Sequence, residues 1–201
     1  MKRPPAVILA GGLSTRMGGG NKGLRLLGGE TLLARVIARL RPQCGALAIN
    51  ANGEAEQFED YGLPVIADGF SGFAGPLAGV LAGMEWAAAN QADSVISVSV
   101  DTPFLPHDLV HRLNEAKGRS GLAVAASPGE DGLLRDHPTC ALWPVSLREE
   151  LRAALESGLH RIGQFAAAYD PGRAVFDSNP CDPFMNLNTP EDLVEASRHL
   201  R

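Results

Sequence analysis

Short apolar runs alternate with segments of helix length along this chain, and that alternation restricts its fold more than any other feature. AVILA (6–10), ALAIN (46–50), PVIA (64–67) and SVISVSV (94–100) are β-branched or continuously apolar, as strands buried on both faces of a sheet must be. Between them, 30–40 places Leu33, Val36, Ile37 and Leu40 on one helical face, the spacing of an amphipathic helix. The alanine-rich segment 76–89 opens after GFAGP with Pro76 in its first turn, where a missing N–H is tolerated. PHDLVHRLNEA (106–116) predicts a third helix. This order needs right-handed crossovers and predicts an α/β fold, a doubly wound, mostly parallel, Rossmann-like sheet. Ligands of such sheets lie at the carboxyl ends of the strands. Chemistry is therefore expected at the residues that follow strands: Gly11 and Gly12, Asn50, Asp68 and Asp101.

The second half is less regular. GLAVAAS (121–127) and PTCALWP (138–144) read as strands around a charged turn, PGEDGLLRDH (128–137). Segments 145–158 and 161–169 read as helices, and RAVFDS (173–178) as a strand. A last helix over 189–200 has Thr189 as its cap and Pro190 at its first position. No repeat or low-complexity linker interrupts the 201 residues, so one domain spanning 1–201 is expected. The net charge is −5 with both signs scattered, which argues against a broad nucleic-acid or membrane surface but leaves room for a local basic site. The first apolar run is shorter than the roughly 7–15 residues of a signal-peptide core. No run approaches the roughly 20 residues of a membrane span, and a cytoplasmic protein is expected. Cys44, Cys140 and Cys181 are odd in number and far apart, a pattern of small semi-buried residues rather than of a disulfide framework or zinc site.

LAGGLSTRMGGGNKGL (9–24) combines six glycines with Arg16 and Lys22. Glycine lets backbone N–H groups approach an anion, and the two cations add countercharge; a linker or a tight turn would use the same glycines. No Gly-Lys-Ser/Thr follows, so the loop is not a Walker A motif. Gly18, Gly20 and Gly23 fit GxGxxG, but well beyond the strand rather than at its end. Asp101 follows a strand directly. It suits a magnesium ion, which takes one or two carboxylates plus phosphate oxygens, and equally the start of the turn TPFLP. His107 and His111 have i, i+4 spacing without a third ligand and read as a solvated pair. Ser14 and Thr15 lack an evident base and read as hydrogen-bonding residues rather than nucleophiles. Arg148, Glu149, Glu150 and Arg152 read as a solvated helix face.

Together with VSVDTPFLP (98–106), the loop resembles the nucleotidyltransferase superfamily, which joins a nucleoside monophosphate to a phosphorylated acceptor. ADGFSGFAGPLAGVLAGM (67–84), RDHPTCALWP (135–144) and FMNLNTPEDL (184–193) narrow the resemblance to the molybdenum cofactor guanylyltransferase family, collinear over nearly the whole chain. That resemblance implies transfer of GMP from GTP to the terminal phosphate of molybdopterin with loss of pyrophosphate. It implies Mg²⁺ as cofactor, GTP and molybdopterin as substrates, and cofactor-synthesis or acceptor proteins as further partners. By position, Leu9, Ala10, Gly11 and Gly12 match the segment that holds the nucleotide, and Lys22 the lysine that neutralises the triphosphate. Asn50 and Asp68 match contacts to base and sugar, and Asp101 the magnesium ligand. Arg16 would face the phosphates, which makes Lys22, Arg16 and Asp101 the implied catalytic set. Asn186 and Asn188 fall where related transferases place a second polar or acidic group near the metal. His137 belongs to a stretch suited to acceptor binding or to local structure. Asn21 stands where many relatives have Asp, and is assigned no catalytic role. Two other readings stay open. One is a cytidylyltransferase acting on molybdopterin or another small phosphate, although AGG (10–12) in place of AAG leans toward guanine. The other is a non-catalytic nucleotide- or cofactor-binding delivery protein, against which Lys22 and Asp101 speak.

Overall fold

The computed structural model describes residues 3–11, 21–53, 55–69, 75–129 and 131–200. Strand β1 (Ala6–Leu9) is followed by a small hairpin, β2 (Leu26–Leu27) and β3 (Glu30–Thr31), and by α1 (Leu32–Leu40) and β4 (Leu47–Asn50). Next come β5 (Val65–Ile66), α2 (Pro76–Ala89), β6 (Ser94–Ser99), α3 (Leu109–Glu115), β7 (Ala123–Pro128) and β8 (Leu134–Pro144). The chain closes with α4 (Arg148–Glu156), α5 (Ile162–Ala167), β9 (Gly172–Val175) and α6 (Pro190–Ser197). The seven-stranded sheet has the order β5–β4–β1–β6–β8–β7–β9. Its pairs are parallel except those of β8, which runs against both β6 and β7. The expected doubly wound, mostly parallel sheet is the one observed.

The two faces of the sheet follow from strand alternation. Ala6 and Ile8 of β1 pack with Leu33, Val36, Ile37 and Leu40 of α1 and with Leu109 and Leu113 of α3. Val7 and Leu9 pack on the opposite face with α2, α4 and α5. Helix α2 packs against the sheet through two glycines that leave no room for a side chain. A Cβ on Gly79 would stand 2.2 Å from Asn50 Oδ1, and one on Gly83 2.5 Å from Val7 Cγ1.

Three local features depart from the sequence reading. β8 begins at Leu134, inside the stretch read as a charged turn. Its exposed start pairs with the end of β7, from Pro128 opposite Leu134 to Ala125 opposite His137, and ladder hydrogen bonds need no buried side chains to form. Glu30 and Thr31 belong to the β2–β3 hairpin, whose Gly28 and Gly29 both have positive φ, +59° and +85°. That is the two-residue turn that matches strand twist and that glycine pairs favour. His107 precedes α3 instead of sharing its face; it meets the Arg39 guanidinium, while His111 lies 3.4 Å from Glu115. Among the described residues, no helix is long and apolar enough to cross a membrane.

Candidate active site

The direction of winding reverses between β1 and β6. From β1 the chain runs through α1 to β4 and β5 on one side, then returns by α2 to β6 on the other. A crevice at such a reversal is where open α/β sheets bind ligands. Val100 N–H donates to the Leu9 carbonyl at 3.1 Å and Ala10 N–H to the Asn50 carbonyl at 2.8 Å, which ties the ends of β6, β1 and β4 into one rim. Gly11 is exposed, and no described residue stands within 4 Å of where its side chain would begin, so a ligand can lie against its backbone. Leu9 and Ala10 are buried beneath it.

Lys22 and Asp101 come together at this rim. Lys22 opens a single 3-10 turn, Lys22–Leu24, which Asn21 caps by accepting the Gly23 N–H at 2.9 Å. Gly23 lets that turn press against the strand end, since a Cβ there would meet Val100 Cγ2 at 2.9 Å. The Lys22 ammonium then donates to Asp101 Oδ2 at 2.5 Å and to Asn188 Oδ1 at 2.6 Å. Asp101 does not cap its turn; Thr102 does, its hydroxyl donating to the Ser99 carbonyl at 2.8 Å.

Asn188 arrives from the far end of the sequence. Leu187 N–H donates to the Asp101 carbonyl at 3.0 Å and lays the segment alongside the site. Asp192 Oδ2 accepts the N–H groups of Asn188 and Thr189 at 2.7 and 2.8 Å, and the Thr189 hydroxyl accepts the Asp192 N–H in return. The expected Thr189 cap is thus a reciprocal capping box. The Asn188 N–H bond, with further help from Thr189 and the Lys22 charge, holds the Asp192 carboxyl below its ordinary range. Leu187 is fully buried with Leu27, Leu32 and Ala196, so α6 and the hairpin support the segment from below. Asn186 is exposed; of the two asparagines, Asn188 is the one that reaches the lysine.

Asp101 Oδ1 is buried with no hydrogen-bond partner among the described residues. A desolvated carboxylate oxygen left in that state is costly, and a hard cation would satisfy it. Among the described residues no three His, Cys, Asp or Glu side chains converge. Magnesium asks for less, since one or two carboxylates suffice when substrate phosphates and water complete its shell. The donor set at Asp101 fits Mg²⁺.

A second polar group stands at the ends of β4 and β5. Asn50, 4 % exposed, donates to the Ile66 carbonyl at 3.2 Å and to Asp68 Oδ1 at 2.8 Å. Asn52 donates to Asp68 Oδ2 at 2.7 Å and accepts the Asp68 N–H at 2.9 Å. His137, farther along the same sheet end, shares a hydrogen bond of 2.7 Å with Ser127 and stacks on Phe184 at 4.6 Å. Burial lowers its pKa against the pull of Asp182 and Asp136, so the imidazole is neutral at pH 7. Gly12 and Arg16 lie outside the described residues, as do Ser14 and Thr15. Sequence reasoning missed Asn52, Asp192 and Gly79. The first two are polar residues two and four places from residues it did select, and the third is a glycine inside a helix, each a signal of the right kind.

A mostly parallel sheet whose reversal point brings together an exposed glycine, a lysine and an aspartate suited to a metal defines a nucleotide-phosphate-binding α/β protein. Residues 6–171 match the model of the MobA-like NTP transferase domain. A molybdenum cofactor guanylyltransferase of Rhodopseudomonas palustris is 53% identical over 198 residues, covering 96% of this chain and 90% of its own. One from a Bradyrhizobium species is 50% identical, covering 96% and 92%. Molybdopterin-guanine dinucleotide biosynthesis protein A of Archaeoglobus fulgidus shares the fold with a TM-score of 0.72 at 22% identity, over 97% of each chain. A 2-C-methyl-D-erythritol 4-phosphate cytidylyltransferase of Thermus thermophilus superposes with a TM-score of 0.74 at 25% identity, over 99% and 98%. The chain belongs to the MobA-like NTP transferases and, within them, to the molybdenum cofactor guanylyltransferase family.

Proposed function

We propose that this protein transfers GMP from GTP to the terminal phosphate of molybdopterin, in the cytoplasm, with residues 1–201 acting as one domain. The observation that carries the chemistry is the meeting of Lys22, Asp101 and Asn188 at the reversal point beside the unpartnered Asp101 Oδ1. The choice of GTP and molybdopterin draws on relatives of that name at about half identity over nearly the whole chain.

A phosphate oxygen of the acceptor attacks the α-phosphorus of GTP in line. The new P–O bond forms as the bond between α-phosphorus and bridging oxygen breaks, and pyrophosphate leaves with the electron pair. The acceptor phosphate is already ionised, so the reaction needs no protein nucleophile or general base. Positioning and charge neutralisation suffice. Lys22 is poised for this. Its ammonium rests between two oxygen acceptors, and rotation of its stem delivers the charge to the triphosphate. Asn188 keeps the lysine near the rim, and Arg16 adds a second cation from the same loop. Gly11 and Gly12 let the nucleoside lie on backbone above Leu9 and Ala10, with Asn50 and Asp68 toward base and sugar. Asp101 would hold Mg²⁺, which when bound withdraws charge from the phosphate oxygens. Asn186, beside Leu187, is within the segment that borders this site, and His137 borders the acceptor side as a neutral, packed group.

Pyrophosphate release measured with GTP, CTP, ATP and UTP, each with and without molybdopterin, tests the reading. Release with GTP that depends on molybdopterin is expected. Release with CTP alone would make the protein a cytidylyltransferase, and binding of GTP without release would make it a delivery protein.

A further inference from the structure

We infer that Asn52 is a positioning residue for nucleoside selection, holding the Asp68 carboxylate so that its remaining lone pairs face a pair of adjacent donors on the bound nucleotide. The inference rests on the nucleotidyl-transfer reading above for what occupies the rim.

Asn52 and Asp68 form a closed ring. The carboxamide donates to Asp68 Oδ2 at 2.7 Å while its own oxygen accepts the Asp68 N–H at 2.9 Å. The first bond fixes the rotation of the carboxylate, and the second fixes the backbone that carries it. Asn50 takes the other oxygen at 2.8 Å and is itself wedged against Gly79. An ionised carboxylate offers about four lone-pair directions. One on each oxygen is taken by an asparagine, which leaves each oxygen an acceptor position for a ligand. Two acceptors on one carboxylate can complement the ring N–H and 2-amino group of guanine, or the adjacent hydroxyls of ribose. Cytosine and adenine present no such pair of donors on their pairing edge. Asn50 is buried and part of the sheet, but Asn52 is exposed in the turn after β4. Its side chain therefore has a bonding geometry to lose and almost no core to disrupt.

The test uses Asn52→Ala and Asn52→Asp in the full chain, with molybdopterin and whichever of the four nucleotides the wild type turns over. The same nucleotide is also titrated directly without acceptor. KM and Kd should rise about tenfold in Asn52→Ala while kcat stays within about twofold, because the phosphates are held at Lys22. Asn52→Asp should be worse, since it sets two carboxylates against each other. The melting temperature should not move. A reduced preference for GTP over ITP in the variants assigns the contact to the base, and a reduced preference over 2′-deoxyGTP assigns it to the ribose; both support the inference. Unchanged KM, or losses of kcat in step with a lowered melting temperature, would overturn it. Wild-type protein that binds a nucleotide but transfers nothing defeats the proposed function alone, because the titration still reads the effect of Asn52. Wild-type protein that binds none defeats both.

Discussion

At the residue scale, Lys22 and Asp101 form an ion pair, with side chains only 12% and 15% exposed. In the proposed mechanism each serves a different ligand, so removing either should impair the reaction by a different route. Lys22→Ala should lower kcat by about 10²–10³, the usual effect of deleting one preorganised charge partner. Asp101→Ala should abolish turnover and the response to Mg²⁺ while circular dichroism shows a retained fold. GMP transfer at the wild-type rate by the Asp101 variant would remove it from the metal site. Loop and strand alone made these two residues candidates, and their roles were legible only through the family resemblance. The contact of Lys22 with Asn188 was not legible, because a contact across 166 residues leaves no local periodicity to read.

At the element scale, α2 and α6 act on the site through their packing. Gly79→Ala drives a methyl into Asn50 Oδ1, and Gly83→Ala drives one into Val7. Both should destabilise by about 1–3 kcal/mol, as overpacking does, but only Gly79→Ala should also raise KM for GTP, through Asn50 and Asp68. Thermal melts beside steady-state kinetics separate the two effects, and equal KM values in both variants would uncouple α2 from the nucleoside side. Helix α6 acts through its cap. Asp192 has a depressed native pKa, held down first by the Asn188 N–H, so its stabilisation is full above about pH 3.9 and disappears as the pH falls through the native value. Asp192→Asn should therefore cost about 1 kcal/mol in urea melts at pH 7, typical of a lost cap. That difference should close in strong acid; a gap that persists there would mean the charge is not what the cap uses.

At the scale of the whole molecule, the thiols report on global opening. Burial pushes Cys44 up to about 12 and Cys140 up to about 11, while Cys181 is only half-buried. Ellman's reagent should label Cys181 in the native protein, and Cys44 and Cys140, which share one core face, only at the rate of unfolding; fast labelling of all three would show that this face opens locally without global unfolding. The sequence by itself determined the α/β class, the strands β1, β4 and β6, the helix α2 from Pro76 to Ala89 and the neighbourhood of the site. Each of these is written in patterns a few residues long, where side-chain spacing acts directly on the adjacent backbone. It did not announce β8 starting within a charged stretch, because that start is fixed by pairing to β7 rather than by burial. Only the tertiary structure decided that Asn188 holds Lys22, that one oxygen of Asp101 is left buried and unpartnered, and that Asn52 closes a ring on Asp68. Such convergences depend on how the sheet winds and on which elements close over its carboxyl edge, and that is settled by the packing of the two core faces together.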